Sequence, residues 1–155
     1  MLSFKFFLSF KLVRALSFKC FWVLSFFVFQ YKFCIVYRGF EDLAVWIRSM
    51  DMAKEIISLL QQAFSKFHSL ADQITRSSIS IPSNIAEGCE RGSNPDFIRF
   101  LYISRGSCAE LRTQLELLKS YTKEENFPQI DKLMGESQEI SKMIYGLIKS
   151  LKLNT

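Results

Sequence analysis

The sequence offers few side chains in spacings that suit catalysis. His68 is the one histidine of the chain, and it lies in a polar connection. A serine or cysteine nucleophile needs a base within hydrogen-bond reach, and His68 more simply fits a solvated loop residue. Glu87 and Glu110 could act as an acid–base pair, but Glu87 and Arg91 have the i,i+4 spacing of an ordinary helix-surface ion pair. We therefore expect a protein without enzymatic activity.

The cysteines do not form a metal-binding pattern either. A structural zinc site needs about four Cys or His ligands at short paired spacings, whereas Cys20, Cys34, Cys89 and Cys108 are scattered. The sequence also lacks the glycine-rich motifs that bind phosphates and dinucleotides. We expect no metal and no cofactor, with small buried thiols in a reducing compartment, the cytoplasm.

A set of arginines is the most informative group of charged residues. Two of them flank the segment SNIAEG (83–88), and three follow on the next predicted helix. Guanidinium groups that neutralise phosphates bind nucleic acid without reading its sequence, and that binding weakens steeply with salt. Arg48 and Lys119 could extend the same area. The candidate nucleic-acid-binding residues are Arg76, Arg91, Arg99, Arg105 and Arg112.

The charge balance gives these arginines a competing explanation. Residues 1–38 hold six of the 20 basic residues and none of the 15 acidic ones, so residues 39–155 carry a net charge of −1. Asp96, Glu110 and Glu116 lie among the arginines. Taken singly, each arginine is better explained by an internal salt bridge than by a phosphate contact.

Residues 1–38 form a compositionally biased tract. It contains ten of the 16 Phe residues, and the phrase LSFK begins at Leu2, Leu8 and Leu16. Its longest uncharged stretch, 20–31, is shorter than the roughly 20 residues that span a bilayer, and no signal-peptide cleavage site follows it. Upstream DNA read from a start codon placed too early is the favoured interpretation, ahead of a membrane or signal segment and a packed native element.

From residue 40 onward, apolar residues recur every three or four positions, which predicts helices. The first spans about 41–64, with a seam at Leu43, Trp46, Met50, Ala53, Ile57, Leu60 and Phe64. The second spans about 69–90, with a seam at Ile74, Ser78, Ile81, Ile85 and Cys89. The third follows a cap at Ser93 and runs to about 122, with seams at Phe97, Phe100, Ser104, Ser107, Leu111 and Leu118 and at Leu101, Cys108 and Leu115. The fourth starts at Asn126-Phe127-Pro128, with a seam at Ile130, Leu133, Ser137, Ile140, Ile144, Leu147 and Leu151.

Proline and small residues add local expectations. Pro82 falls inside the second helix, where proline removes a backbone hydrogen bond. We expect one bent helix, or two short ones as the alternative, with neighbouring serines satisfying the freed carbonyls. Gly135, Ser137 and Gly146 predict close approach of a helix to the fourth one. Four helices with short connections predict an all-α, up-down four-helix bundle over 39–155.

The start of the third helix is apolar nearly all round, from Phe97 to Ile103. A surface helix of a monomer should have one polar side, so we expect a second buried face against another subunit. The candidate oligomer interface is Trp46, Phe97 and Tyr102.

Three phrases then occur in order: FEDLAVW from Phe40, SISIPSNIAEG from Ser78 and FIRFLYISRGSCAEL from Phe97. Over about residues 38–150 they resemble the four-helix bundle family first noticed in proteins encoded by intervening sequences of bacterial large-subunit ribosomal RNA genes. The resemblance implies a small bacterial bundle that assembles as a homo-oligomeric ring, in some relatives a pentamer. It also implies nucleic-acid binding without catalysis, and one relative partners a reverse transcriptase and its RNA.

The combined expectation is a non-catalytic oligomeric bundle that binds nucleic acid, RNA above all, or serves as an accessory protein. A ring would repeat a modest arginine patch and concentrate its field. The alternative is an oligomeric protein–protein adaptor that never contacts nucleic acid, in which the aromatic residues form interface only. A membrane-anchored bundle stands only if residues 1–38 are native.

Overall fold

The structure, a computed structural model, describes residues 39–63 and 68–153. The described helices are α1 (Ala44–Ala63), α2 (His68–Glu90), α3 (Asn94–Lys119) and α4 (Phe127–Leu153), with short 3₁₀ turns at Phe40–Asp42 and Glu124–Asn126. These residues contain no strand. The predictions for the 1–38 tract, and the seam position Phe64, lie outside the described residues.

The helices form an up-down bundle. Each packs against the helix before and after it in the chain, and α1 closes the bundle by packing against α4. The α2–α3 pair shares the most extensive contact, and the α1–α4 pair the least of the four. The predicted all-α four-helix bundle is confirmed. None of the helices in the described part of the chain combines the length and apolarity needed to cross a bilayer.

Local signals place the start of α3 and of α4. The Ser93 hydroxyl caps α3 by accepting a hydrogen bond from the backbone N–H of Asp96, and Pro95 follows in the first turn. Pro128 is the second residue of α4, where its missing N–H costs nothing. Both starts were predicted from these residues, whereas α3 ends at Lys119, about three residues before the predicted end.

The second helix continues through Pro82 without a break. Side-chain donors reach three consecutive carbonyls beside the proline: Ser83 Oγ donates to Ile79, Asn84 Nδ2 to Ser80, and Ser104 Oγ of α3 to Ile81. The prediction of one helix through Pro82 is confirmed. The carbonyl that Pro82 leaves without its helical donor is that of Ser78, and none of these three bonds reaches it, so the predicted role of the serines is not confirmed. The donors to these three carbonyls include a residue of the neighbouring helix.

The buried seams of α2, α3 and α4 match their predicted positions closely, but that of α1 is shifted. Val45, Met52 and Ile56 face the core, while Trp46 and Ile57 are half-buried at its edge. The predicted seam is right at Ala53 and Leu60, which are buried, and wrong at Trp46 and Ile57, because this helix carries two adjacent apolar stripes. Only the packing of α2 and α4 decides which one points inward.

Two of the three close approaches predicted on α4 are absent. A Cβ added at Gly135 or Gly146 would meet no atom of the described residues within 4 Å, so no described helix approaches closely there. Ser137 is buried, and its hydroxyl donates to the carbonyl of Cys108 on α3 at 3.1 Å. Two helices approach closely at Gly88 instead, where an added Cβ would lie 2.5 Å from Phe100 Cβ.

Among the described residues, the buried polar side chains are all serines. The buried hydroxyls bond to carbonyls or to polar side chains, which removes the cost of burying them. The buried serines are Ser49, Ser77, Ser78, Ser104, Ser107 and Ser137.

Candidate nucleic-acid interface

The five candidate arginines do not form one cluster. Arg76 belongs to α2, where it lines a pocket together with Glu110 of α3. Arg91 and Arg99 lie near the α2–α3 connection, and Arg105 lies against α4. Arg112 follows Arg105 after two turns on the same side of α3, since seven residues turn a helix by nearly two full rotations.

Arg91 and Arg99 both approach the ring of Phe100. Their guanidinium carbons lie 5.1 and 5.9 Å from its centroid, within the range of a cation–π contact. Arg91 also forms the predicted i,i+4 ion pair with Glu87, whose hydrogen bond raises the pKa of the guanidinium. Arg91 is therefore partly neutralised, whereas Arg99 is not.

Arg76 belongs to a polar pocket of about 220 Å³ between α2 and α3. Its walls also carry Ser77 and Gln114, whose side chains bond to each other at 2.6 Å. Glu110 lines the same pocket without forming an ion pair with Arg76.

The α3–α4 side of the bundle gathers cations on two tyrosine rings. Arg105 Cζ and Lys149 Nζ lie 4.9 and 4.8 Å from the centroid of the Tyr145 ring. Lys152 Nζ lies 5.4 Å from the centroid of Tyr102 and donates a 3.1 Å hydrogen bond to its hydroxyl. Both tyrosines are 44% exposed. We call this the basic tyrosine surface, which comprises Tyr102, Arg105, Arg112, Tyr145, Lys149 and Lys152.

Ion pairing separates this surface from the rest of the bundle. Among the described residues, the side chains that pair with a carboxylate within 4 Å are Arg48, Lys54, Arg91, Lys119, Lys123, Lys132 and Lys142. Across residues 39–63 and 68–153, the cations without such a pair are Arg76, Arg99, Arg105, Arg112, Lys149 and Lys152. Four of these six belong to the basic tyrosine surface.

The expectation of salt bridges at each arginine is thus wrong for four of the five, since Arg91 alone of them pairs with a carboxylate of the described residues. Arg105 shows the reason. Its guanidinium group lies over the Tyr145 ring, and its Nε is buried without a hydrogen-bond partner in the described part of the chain. Arg48 and Lys119, proposed to extend the area, are instead paired with Glu136 and Asp131, and these bonds raise the pKa of both cations.

Sequence reasoning missed Tyr145, Lys149 and Lys152. Their spacing of four and three residues places them on one face of α4. That pattern could have identified a basic aromatic stripe. What the spacing could not show is that α3 brings Arg105 and Tyr102 against the same stripe.

The three candidate interface residues differ in what they expose. Phe97 is only 9% exposed and belongs to the core, so its surface is already covered by the chain itself. Trp46 is half-buried and packs edge-on against Phe40, with ring centroids 5.1 Å apart. Tyr102 is exposed but lies in the basic tyrosine surface.

The candidate catalytic and metal-binding residues remain apart. His68 is exposed at the start of α2. Glu87 pairs with Arg91 near Phe100, whereas Glu110 lies ten residues further along α3, roughly 15 Å away. Within the described ranges, no three His, Cys, Asp or Glu side chains are grouped to hold a metal ion.

Comparison with known proteins agrees with this fold. Residues 41–146 match the family model described as the 23S rRNA-intervening sequence protein. Among solved structures, the chain is similar to a protein of unknown function from the S23 ribosomal protein family of Bacteroides thetaiotaomicron, with 31% identity and a TM-score of 0.61. That match covers 68% of this chain and 99% of the relative. No curated protein matches the chain.

The family model covers well over half of the sequence, and it starts at Glu41, within the FEDL phrase. The resemblance seen in the three sequence phrases is therefore confirmed. The chain belongs to the 23S rRNA-intervening sequence protein family.

Proposed function

We propose that this protein binds RNA without catalysing a reaction on it, and that it does so as a homo-oligomer. The observation that carries the proposal is the set of unpaired cations on α3 and α4. Arg105, Arg112, Lys149 and Lys152 have no carboxylate partner among the described residues, although residues 39–155 are slightly acidic as a whole.

Placing like charges together costs free energy unless an anion compensates them. A protein with a net charge of −1 in this domain has enough carboxylates to neutralise these cations internally, yet the carboxylates lie elsewhere. Phosphate groups of a nucleic acid would supply the missing anions. The family description names 23S rRNA, so a structured RNA is the nucleic acid to test first.

The test is a filter-binding titration of the full chain against a structured RNA at several salt concentrations. We expect affinity to fall steeply with salt, because each neutralised phosphate releases a counterion. Arg105→Glu should weaken RNA binding by about tenfold or more. Arg76→Glu should weaken it less, because Arg76 lies outside the basic tyrosine surface.

Lys54→Glu is the matched control. It makes the same charge change on α1, where Lys54 is exposed and pairs with Asp51. An affinity that is indifferent to salt, or equal losses for the three variants, would refute the proposal. A chain that binds no RNA but retains a protein partner would favour the adaptor function.

Self-association is supported by apolar side chains that the bundle leaves exposed. Ile47 is 45% exposed beside the half-buried Trp46 at the start of α1, and Ile103 is 44% exposed on α3. We place the contact between copies on the α1 side, because the basic tyrosine surface would repel a second copy of itself. Light scattering of the full chain should give a mass of at least twice 18.1 kDa, and Ile47→Glu should lower it. A monomer at every concentration would exclude the ring.

A further inference from the structure

The two rings of the basic tyrosine surface suggest what kind of RNA it binds. Tyr102 and Tyr145 are each nearly half exposed, and both lie among cations. A purely electrostatic phosphate site needs the cations alone. Aromatic rings interleaved with cations are the arrangement of surfaces that bind single strands, where bases stack and phosphates are neutralised nearby.

We propose that the basic tyrosine surface binds unpaired nucleotides, with bases stacking on Tyr102 and Tyr145 and the neighbouring cations contacting the backbone. This inference rests on the proposed RNA binding and specifies the form of RNA. In a duplex the bases already stack on one another and their faces cannot reach a protein ring. A loop, bulge or single-stranded end presents those faces.

The cations that now cover the rings do not prevent stacking. An exposed cation–π contact is weaker than the stacking of a base on an aromatic side chain. A base that displaces Lys149 from Tyr145 leaves the ammonium group free to contact the adjacent phosphate. Arg105 Nε, buried without a hydrogen-bond partner in the described part of the chain, belongs to the same guanidinium that contacts Tyr145.

The size of the surface fits a short segment of RNA. Tyr145 and Lys152 are seven residues apart on α4, which is about 10 Å at 1.5 Å per residue. Successive nucleotides of a stacked strand advance by about 3.4 Å. The surface of one molecule therefore accommodates about three nucleotides, and copies in an assembly would extend the site.

The experiment measures fluorescence polarisation of a labelled 12-nucleotide single strand and of the same sequence in a duplex, using the full chain. We expect the single strand to bind more tightly than the duplex. Tyr145→Leu should weaken single-strand binding about tenfold and leave duplex binding nearly unchanged. Tyr145→Phe, which keeps the ring, should lose far less than Tyr145→Leu. Lys149→Ala should weaken the binding of both RNAs. It should also reduce by about one the slope of log affinity against log salt concentration.

Tyr121→Leu is the control, because Tyr121 is exposed beyond the end of α3 and outside the surface. Equal binding of single strand and duplex, or no effect of Tyr145→Leu on the single strand, would overturn this inference while leaving the proposed RNA binding intact. No binding to either RNA would refute both this inference and the proposed RNA binding. Polyglutamate competing as well as unlabelled single strand would assign the surface to an acidic protein and also overturn it.

Discussion

Gly88 determines how closely α2 and α3 pack. A Cβ built on Gly88 would lie 2.5 Å from Phe100 Cβ and 3.1 Å from Phe97 Cδ2, so a larger residue forces the helices apart. We expect Gly88→Ala to lower the free energy of unfolding by about 1–3 kcal/mol, the usual cost of overpacking a core. Urea denaturation monitored by circular dichroism would measure it.

Gly135→Ala provides the matched comparison on α4. No atom of the described part of the chain lies within 4 Å of a Cβ built there, and alanine favours the helix over glycine by up to about 1 kcal/mol. This substitution should therefore stabilise the protein. If both substitutions destabilise the protein equally, the loss of stability in Gly88→Ala does not come from the close contact with Phe100.

The thiol of Cys108 links stability to alkaline pH. Burial raises its pKa from 9.0 to about 11, outweighing the hydrogen bond with Ser137 and the nearby charges of Arg112 and Arg105. The native state therefore keeps a proton that the unfolded chain loses above about pH 9. The stability associated with this proton is present at neutral pH and is lost as the pH rises towards 11, at up to roughly 1.4 kcal/mol per pH unit.

Urea titrations at pH 8 and pH 10.5 would test this on the full chain and on Cys108→Ala. The variant should be less stable at pH 8, because it loses buried side-chain volume. Its stability should fall less than that of the unsubstituted chain between the two pH values. Parallel losses in both proteins would contradict the shift of the Cys108 pKa.

At the level of the helices, Ser104 supports α2 from outside it. Its hydroxyl donates to the carbonyl of Ile81, one residue before Pro82, at 3.0 Å in a fully buried position. Ser104→Ala should cost about 0.5–1.5 kcal/mol, the usual net contribution of one hydrogen bond, because the Ile81 carbonyl keeps its helical donor and loses only the hydroxyl. The measurement is the midpoint of chemical denaturation.

Ser83→Ala is the comparison for Ser104→Ala. Ser83 donates to the carbonyl of Ile79 but lies at the exposed side of α2, where water can replace the hydroxyl. We expect a loss of less than about 0.5 kcal/mol. If Ser83→Ala costs as much as Ser104→Ala, burial is not the source of the difference.

The sequence identified the helices because their signals are local. The Ser93 cap, Pro128 in a first turn and the apolar spacing of α2, α3 and α4 involve residues a few positions apart. The inward face of α1 was not predictable, since Val45 and Trp46 begin two apolar stripes of similar strength. The same limit applies to Gly88, whose partner Phe100 lies on another helix.

The candidate site was predictable to the same extent. Arg105 and Arg112 were identified on one helix, and their common side follows from their spacing. Tyr145 and Lys149 belong to α4, some forty residues away, and only the packing of α3 against α4 brings them to Arg105. Pairing with carboxylates likewise depends on neighbouring helices, which is why Arg48 and Lys119 were misjudged.

At the scale of the whole bundle, the unequal helix contacts predict where it opens first. The α2–α3 pair is the most extensively packed, and α1 contacts α4 least. Regions with fewer buried contacts open locally at lower free energy. Hydrogen exchange followed by mass spectrometry should show faster exchange in α1 than in α2 and α3 at low protein concentration. Uniform protection across the four helices would contradict this order.

The same experiment repeated at high protein concentration bears on self-association. If copies meet through the α1 side, protection of α1 should rise with concentration while that of α2 stays constant. Protection that increases instead around Tyr102 and Tyr145 would place the contact on the basic tyrosine surface.

The buried serines have a consequence for how the helices align along their axes. Ser104 reaches Ile81, and Ser137 reaches Cys108, across two different helix pairs. If one helix slid past its neighbour by a turn of about 5.4 Å, these hydroxyls would face aliphatic side chains and lose their acceptors. A seam made only of leucine would tolerate such slippage. The serines therefore select a single axial register, at the expense of some apolar burial.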